Sequence, residues 1–321
     1  MRFFQNWYSK EYNGTQKTIR FLGIPFSFHC PHLEPGFSLE NKKKYIRRKF
    51  VYRVGYEPQF DSPRSFNEKL QWLKLHYHNP LMTQCADKFR VRDYIQEKIG
   101  SPFLVDLIGV YDKPEEIDFD SLPEKFVLKV NWGSHQNIIC TNKSKLNIPE
   151  AIKKLNVWLR PCYNHYFRTF EWAYKNIQPK ILCEKYLETN GEPFIDIRFH
   201  CFNGEPKIIM YVKENLDSQR YNFYDLNWNL LPFGQRSRNI EFPIERPEYL
   251  DEMLSIAKKL SAPFPNVRVD LYHIQNKIQF AELTFYDGSG LDGFTPVKWD
   301  FNIGKMLALP EPLLEPGESN F

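Results

Sequence analysis

Arg268, Asp270 and Glu282 lie in NVRVDLYHIQNKIQFAELTFYDG, residues 266–288, which reads as two β-strands about a turn. Side chains alternate between the faces of a strand, so Arg268, Asp270 and Tyr272 share one face and Val267, Val269 and Leu271 the other. On the second strand Glu282 and Thr284 share a face, opposite Ala281, Leu283 and Phe285. A three-residue loop, Gln275-Asn276-Lys277, pairs Ile274 with Ile278, Asp270 with Glu282 and Arg268 with Thr284. A two-residue loop changes that parity and buries one set of charges among aliphatics, so the alternation selects the longer loop. Opposed carboxylates repel by about 0.2–1 kcal/mol when exposed and more when buried, unless a cation intervenes. Mg²⁺, which takes one or two carboxylates plus phosphate oxygens, is one such cation. A solvated acidic face with Arg268 as a surface partner is the other reading, and the hairpin alone leaves both open.

A second constellation is basic. Lys129 interrupts the apolar strand FVLKV beside the loop NWGSHQN. A buried ammonium needs a partner, although a lysine at a strand end also reaches water by extending its stem. Gly133 and Ser134 form a loop whose backbone N–H groups can approach phosphate oxygens. Further on, the apolar strand ending in CEKYLE offers backbone hydrogen bonds to a planar base, with Leu187 packing on it; a plain strand end is the simpler reading.

These residues need elements to hold them. Ser65 stands three residues before Glu68 in SPRSFNEKLQWLKLHYH, the spacing of a capping box that starts a helix. ADKFRVRDYIQEKIG reads as a second helix, with Phe89, Tyr94 and Ile95 as core candidates and Gly100 at its end. FLVDLIGVYD is strand-like, LPEKFVLKVNWGSHQNIICT is a hairpin, and a helix follows around 150–160. FIDIRFHCFNGEPKIIMYV is a hairpin turning at Asn203-Gly204. RPEYLDEMLSIAKKL places apolar residues at 250, 253, 254, 256, 257 and 260, one face of a helix. Residues 1–40 carry no assignable period, and the tail after Leu309, rich in Pro and Glu, reads as peripheral. Helices mixed with tight antiparallel hairpins predict α+β lobes rather than a regular parallel sheet. The expected division is an N-terminal, partly helical segment at 1–85, a lobe with the phosphate loop at 86–183, a lobe with the acidic hairpin at 184–309, and a tail at 310–321.

A chain of 321 residues exceeds one simple core. Its formal net charge of +4 does not argue for nucleic acid as a partner. Cys30, Cys85, Cys140, Cys162, Cys183 and Cys201 are scattered without metal-like spacing, which suggests a reducing, cytoplasmic setting. MRFFQNWYSKEYNG lacks the apolar core of a signal peptide, and no stretch approaches the roughly 20 apolar residues that span a bilayer, so a soluble protein is expected. KKKYIRRKFVYR, Lys42 to Arg53, is either a solvated helix face or a patch for anionic headgroups or a phosphorylated carrier at the inner membrane face.

Taken in order, SFNEKLQWLKL, ADKFRVRDYI, LPEKFVLKVNWGS, PKILCEKYL, FHCFNGEPK, RVDLY and AELTFYDGSG resemble the ATP-grasp superfamily over roughly residues 60–307, and most closely its TupA-like branch, associated with bacterial cell-surface polysaccharide synthesis. The resemblance implies the ATP-grasp fold, two α+β lobes clasping ATP, preceded here by a helical N-terminal segment. It implies that Lys88 and Lys129 grip the nucleotide phosphates, that Gly133 and Ser134 belong to the loop covering them, and that Glu184, Lys185, Tyr186 and Leu187 form the adenine hinge. Asp196 is its weaker candidate for the ribose. Asp270 and Glu282 match ligands of Mg²⁺ (or Mn²⁺), with Thr284 where many relatives carry Asn, and Arg268 matches an arginine that stabilises the transition state. The phosphate loop departs from the pattern in having His135 and Gln136 where a second Gly is common.

The chemistry so implied is ATP-dependent ligation of a carboxylate to an amine through an acylphosphate. The polysaccharide link suggests a hexuronic acid, on a nucleotide sugar or glycan, and an amino acid or amino alcohol. Arg198, Lys213, Arg220 and Arg236 are either surface charges or binders of an anionic sugar. Two other enzymatic readings stand beside this one: a sugar phosphotransferase using the same nucleotide site, and a glycosyltransferase with Asp118-Phe119-Asp120 as a DxD motif. A third is a non-enzymatic glycan- or membrane-binding module. Among His76, His78, His165, His200 and His273 nothing in the sequence singles out a base, and His200, nearest to a motif, reads as structural.

Overall fold

The computed structural model describes residues 8–13, 16–21, 24–29, 37–134, 136–160, 163–189, 195–215, 218–235, 239 and 244–314. His135, Arg236, Cys30 and Cys162 therefore lie outside the described residues. The unassigned N-terminal stretch contains an antiparallel sheet of β1 (Tyr8–Asn13), β2 (Gln16–Phe21) and β3 (Ile24–His29). α1 (Leu39–Val54) starts on Ser38, whose hydroxyl accepts from Asn41 N, and ends at Gly55 in the left-handed region. α2 (Phe66–His76) begins with the predicted capping box: Ser65 Oγ accepts from Glu68 N at 3.1 Å, and Glu68 Oε2 accepts from Ser65 N at 2.8 Å. α3 (Pro80–Ala86) has proline in its first turn and Asn79 as its cap.

The helix expected across ADKFRVRDYIQEKIG is broken at its start. Ala86 closes α3, and Asp87 Oδ1 accepts from Phe89 N and Arg90 N before α4 (Val91–Lys98) begins. A short acidic side chain that captures backbone N–H groups offers the chain an alternative to helix. The break leaves Lys88 between two helices, where its own N–H bonds Asn131 O at 2.8 Å.

Two antiparallel sheets organise the rest. The smaller contains β4 (Leu107–Tyr111), β5 (Phe126–Val130), β6 (Asn137–Cys140) and, after α5 (Ile148–Trp158) and α6 (Tyr163–Thr169), β7 (Ile181–Lys185), in the order β4-β7-β5-β6. Phe126, Leu128, Ile181 and Cys183 pack with Leu155 of α5 in a core of their own. The larger sheet contains β8 (Ile195–Phe202), β9 (Glu205–Asn215), β10 (Ser218–Tyr224), β12 (Asn266–Ile274) and β13 (Lys277–Thr284), in the order β10-β9-β8-β12-β13. β11 (Gly234–Gln235) pairs with β14 (Phe294–Thr295). α7 (Leu250–Ser261) buries Leu250, Met253, Ile256, Ala257 and Leu260, the predicted stripe less Leu254 at its edge, and α8 (Lys298–Gly304) closes against α2.

The larger core runs from Phe66, Leu70 and Tyr94 through Phe199, Ile209 and Val269 to Phe285, so α2, α3 and α4 pack with the C-terminal sheet. Each fully buried Leu or Phe there contributes about 1.5–3 kcal/mol. The tail, expected to be peripheral, is strapped down as far as Leu313, whose O accepts from His78 N at 2.6 Å and whose N donates to His76 O at 2.8 Å. Among the described residues, no helix is long and apolar enough to cross a membrane.

Candidate functional site

The hairpin at 266–288 forms, and its register sets Asp270 opposite Glu282 and Arg268 opposite Thr284 as expected. The turn that produces this register differs from the expectation. Ile274 pairs with Lys277 across a two-residue turn, Gln275 (φ 49°) and Asn276 (φ 57°), both left-handed. Left-handed residues at both turn positions match the natural twist of paired strands, which favours the shorter turn. The parity is restored further along: Leu271 pairs with Phe280 and Asp270 with Glu282, leaving Ala281 as the extra residue of a β-bulge. Without the bulge, Glu282 would fall opposite Val269 on the core face.

On the same face, β8 lies alongside β12 with Arg198 opposite Asp270 and His200 opposite Arg268. Four carboxylates and three cations meet on this floor. Arg268 grips Asp270 through both its oxygens, Nε to Oδ1 at 2.7 Å and Nη2 to Oδ2 at 2.6 Å. Its Nη1 donates to Asp287, and Nη2 also lies 3.4 Å from Glu282 Oε1 and 3.3 Å from Thr284 Oγ1. Lys88 Nζ donates to Glu282 Oε2 at 3.0 Å, and the Thr284 hydroxyl donates to Oε1 at 3.0 Å. Arg198 holds Asp196 at 2.7 Å and stands 3.7 Å from Asp270 Oδ2.

Burial pushes the Asp270 carboxyl up to about 6, with Arg268 and Arg198 opposing the shift. Lys88 acts the other way on Glu282, and its charge, with that of Arg268, holds this carboxyl well below the usual range. His200 is buried in an aromatic setting of Phe66, Phe223 and Phe233, which lowers its imidazole to about 4 and keeps it neutral. Its Nε2 has no hydrogen-bond partner.

A second set of charges stands on the smaller sheet. Lys129 Nζ lies 2.6 Å from Glu184 Oε2, the partner a lysine in such a strand requires, and Arg92 Nη1 lies 3.9 Å from Oε1. β4 and β5 flank β7 and fix Glu184 opposite Leu107 and Val127. Lys185 is exposed, while Tyr186 and Leu187 are half-buried where the strand ends. Asn131 joins the loop after β5 to the segment entering β7: its Oδ1 accepts from Lys180 N at 2.8 Å and its Nδ2 donates to Gln178 O at 2.9 Å. At Gly133 the Gln136 carboxamide occupies the space a Cβ would take, so a side chain there would displace Gln136, and Ser134 is exposed beside it.

A family model described as TupA-like ATPgrasp matches residues 68–308. The chain belongs to the TupA-like ATP-grasp family. The ATP-bound D-alanine–D-alanine ligase of Bacillus anthracis is 18% identical over 77% of this chain and 72% of its own, with a TM-score of 0.41. A second structure of that ligase is 19% identical over 68% of this chain, which spans 64% of it, with a TM-score of 0.39. An L-amino acid ligase from Bacillus licheniformis is 14% identical over 66% of this chain and 44% of its own, with a TM-score of 0.39. No protein of curated function matches the chain.

In this ATP-grasp chain, Lys88, Arg268, Asp270, Glu282 and Thr284 come together on one floor, and Lys129 joins Glu184 on the smaller sheet. Asp196 is engaged by Arg198 on the floor of the larger sheet. Among the described residues, no group of three or more His, Cys, Asp or Glu side chains is arranged to hold a metal ion unaided. Two carboxylates and a hydroxyl are oxygen donors that suit an ion completing its shell on phosphates, and Arg268 Nη2 and Lys88 Nζ engage the same acids in this structure. The donor set thus fits an ion arriving with ATP.

Several contributors escaped the sequence reading. Arg198, weighed there as a surface charge or sugar binder, is a floor residue with 17% of its side chain exposed, whereas Lys213 is exposed. Asp287 completes the arginine's ring of acids, signalled only by the turn-forming sequence Asp287-Gly288-Ser289-Gly290 that follows β13. That turn is held from α2. Gln71 Nε2 donates to Ser289 O and Gly290 O, and Lys74 Nζ donates to Ser289 O at 2.6 Å and Oγ at 2.8 Å. Burial lowers the Lys74 ammonium to about 8.

Proposed function

We propose that this ATP-grasp chain is an ATP-dependent carboxylate–amine ligase. The observation that carries the reading is the contact between Lys88 and Glu282, because it brings the lysine that the family resemblance assigns to the phosphates onto the paired carboxylates of the floor. In this reading Lys88 and Lys129 draw the phosphates of ATP between the two sheets, and the backbone at Gly133 and Ser134 covers them. Glu184 to Leu187 hold the adenine. Asp270 and Glu282, with Thr284, would hold Mg²⁺ (or Mn²⁺), which supplies charge neutralisation across the phosphates when bound.

In-line transfer of the γ-phosphoryl group to a carboxylate needs positioned reactants and cations at the developing charge. Arg268 is held for this by three acids, and Lys88 stands on the other side of Glu282. The resulting acylphosphate is open to attack by an amine, which gives an amide, ADP and phosphate. We infer from the family resemblance that the carboxylate is a hexuronic acid and the amine an amino acid or amino alcohol, in cell-surface polysaccharide synthesis on the cytoplasmic side. Residues 42–53 would contact an anionic or lipid-linked carrier. Lys43, Arg47, Lys49 and Arg53 are tied to Asp61, Glu57, Arg168 O and Asp292, whereas Lys44 and Arg48 stay exposed.

The test is an ADP-release screen that pairs uronic acids, free and as nucleotide derivatives, with a panel of amines, read by product mass. Amide formed only with ATP and both substrates supports the ligase. Phosphorylated sugar accumulating without any amine would identify a phosphotransferase instead.

A further inference from the structure

We propose that Lys74 is a positioning residue for Arg268, acting with Gln71 and Asn67 on the buried face of α2 through the turn Asp287–Gly290. The inference rests on the ligase reading above, in which Arg268 meets the charge that develops on the transferring phosphoryl group. Asn67, Gln71 and Lys74 stand at i, i+4 and i+7, one stripe of the helix. A stripe facing the core is ordinarily apolar, yet each of these polar side chains is at most 2% exposed. A lysine is almost never buried to this degree unless its amine has partners.

The partners all belong to one segment. Lys74 Nζ reaches Ser289 O at 2.6 Å, Ser289 Oγ at 2.8 Å and Gln71 Oε1 at 3.1 Å. Gln71 Nε2 donates to Gly290 O at 2.6 Å and Ser289 O at 3.0 Å, and Asn67 Nδ2 donates to Asp292 O at 2.9 Å. Gly288, Ser289 and Gly290 have φ of 52°, 60° and 59°, three left-handed residues in a row. Ser289 carries a side chain there, which the left-handed region disfavours. A Cβ on Gly290 would stand 2.8 Å from Leu70 Cβ and 3.2 Å from Asn67 O, so glycine lets the backbone of the turn lie directly on α2. Such a conformation persists only where its surroundings impose it, and here α2 supplies the contacts.

The turn fixes one corner of the Arg268 guanidinium. Nε and Nη2 are held by Asp270, and Nη2 also faces Glu282, both on strands of the hairpin itself. Nη1 donates to Asp287, the residue on which the turn begins. Asp287 is thus the corner through which α2 acts: Lys74 holds Ser289, the turn aims Asp287, and Asp287 sets Nη1. When Nζ is removed, the turn relaxes toward ordinary backbone angles, Asp287 departs, and Arg268 keeps Asp270 while losing the contact that orients Nη1.

The experiment uses the full-length chain with ATP, Mg²⁺, hydroxylamine as the nucleophile, and glucuronic or galacturonic acid, free and as UDP derivatives. Lys74→Met keeps the stem and drops the Nζ contacts. It is expected to lower kcat for ADP release by about 10- to 100-fold, the cost of a misplaced catalytic group, while the Kd for ATP in calorimetry stays within about threefold of wild type. In an Asp287→Asn background the same substitution is expected to lower kcat by less than about threefold, because its route to Arg268 is already cut. Ser289→Gly drops the Oγ contact and frees the turn without touching the core, and is expected to lower kcat about threefold or more. The ¹⁵N-arginine Nε–Hε resonance of Arg268, identified by its loss in Arg268→Gln, is expected to shift and to exchange faster in both variants. An unchanged kcat or an unchanged resonance in both variants overturns the assignment. Equal loss with and without the Asp287 carboxylate, or a parallel loss of ATP affinity, reduces Lys74 to a structural residue and overturns it as well. A wild-type chain that releases no ADP with any of these acids refutes the ligase reading, and the arginine resonance then decides alone whether α2 orients Arg268.

Discussion

Replacing Arg268 by Gln removes a cation that touches three acids at once, Asp270, Asp287 and Glu282. Only 9% of its side chain is exposed, and Asp270 is at 4%, so that carboxylate, left behind, cannot recover its hydration, whereas Glu282 at 34% can. Breaking a buried ion pair by removing one partner costs about 3–5 kcal/mol. For a domain of this size that is a fall in Tm of about 6–20 °C. Burial already raises Asp270 against the pull of Arg268, so losing the arginine raises it further. The folded state then binds a proton that the unfolded chain, with Asp at its ordinary 3.8, has released. Stability accordingly falls as pH rises through that window, and the deficit of the variant is smaller at pH of about 5 than at pH of about 8. Adding Asp287→Asn removes one uncompensated charge and is expected to return about 0.5–3 kcal/mol to the double variant. Urea denaturation followed by tryptophan fluorescence measures each term. A loss under about 1 kcal/mol in Arg268→Gln, or a double variant no more stable than the sum of the single losses, would refute the view that this arginine neutralises a buried acid cluster.

Asp270→Asn and Glu282→Gln are each expected to abolish ATP turnover while leaving the circular-dichroism spectrum unchanged; ADP release at the wild-type rate in excess Mg²⁺ removes the metal assignment. Lys88→Met and Lys129→Met are each expected to weaken ATP binding about tenfold or more in calorimetry, the loss of roughly 1.4 kcal/mol that one charged phosphate contact supplies. His200, lowered from 6.5 to about 4 by burial, binds its proton less readily in the folded state than in the unfolded chain. Its contribution is present above 6.5 and is lost as pH falls toward 4, about 3 kcal/mol across that interval. His200→Gln is expected to flatten that part of the stability profile in urea melts, and a profile unchanged from wild type contradicts the neutral assignment.

How far the site was legible depended on whether a residue's neighbours were close in sequence. The capping box at Ser65 and Glu68, the Asn203-Gly204 turn and the stripe on α7 are local patterns, and each formed as read. The opposition of Asp270 and Glu282 was also legible, because keeping both acids off the aliphatic face leaves one parity. The route to that parity is not legible at the turn: Gln275-Asn276 lacks the glycine that announces a two-residue left-handed turn, so the local pattern favours the extra residue in the loop. The sequence does hold the correction. Phe280 belongs to the core face with Leu271, and Glu282, two residues on, must face the other way, so alternation breaks at Ala281 and locates the bulge. Asp287, Arg198 and Lys74 carry no such local mark. Arg198 reads as an ordinary charge on a strand until β8 is set beside β12, a pairing that spans more than sixty residues of chain. Lys74 becomes a support of the site only because the turn after β13 is set against α2, where Ser289 accepts from it. Local rules thus recover the ligands that a single hairpin presents, whereas residues that act through partners on other elements become visible only once the sheets are assembled.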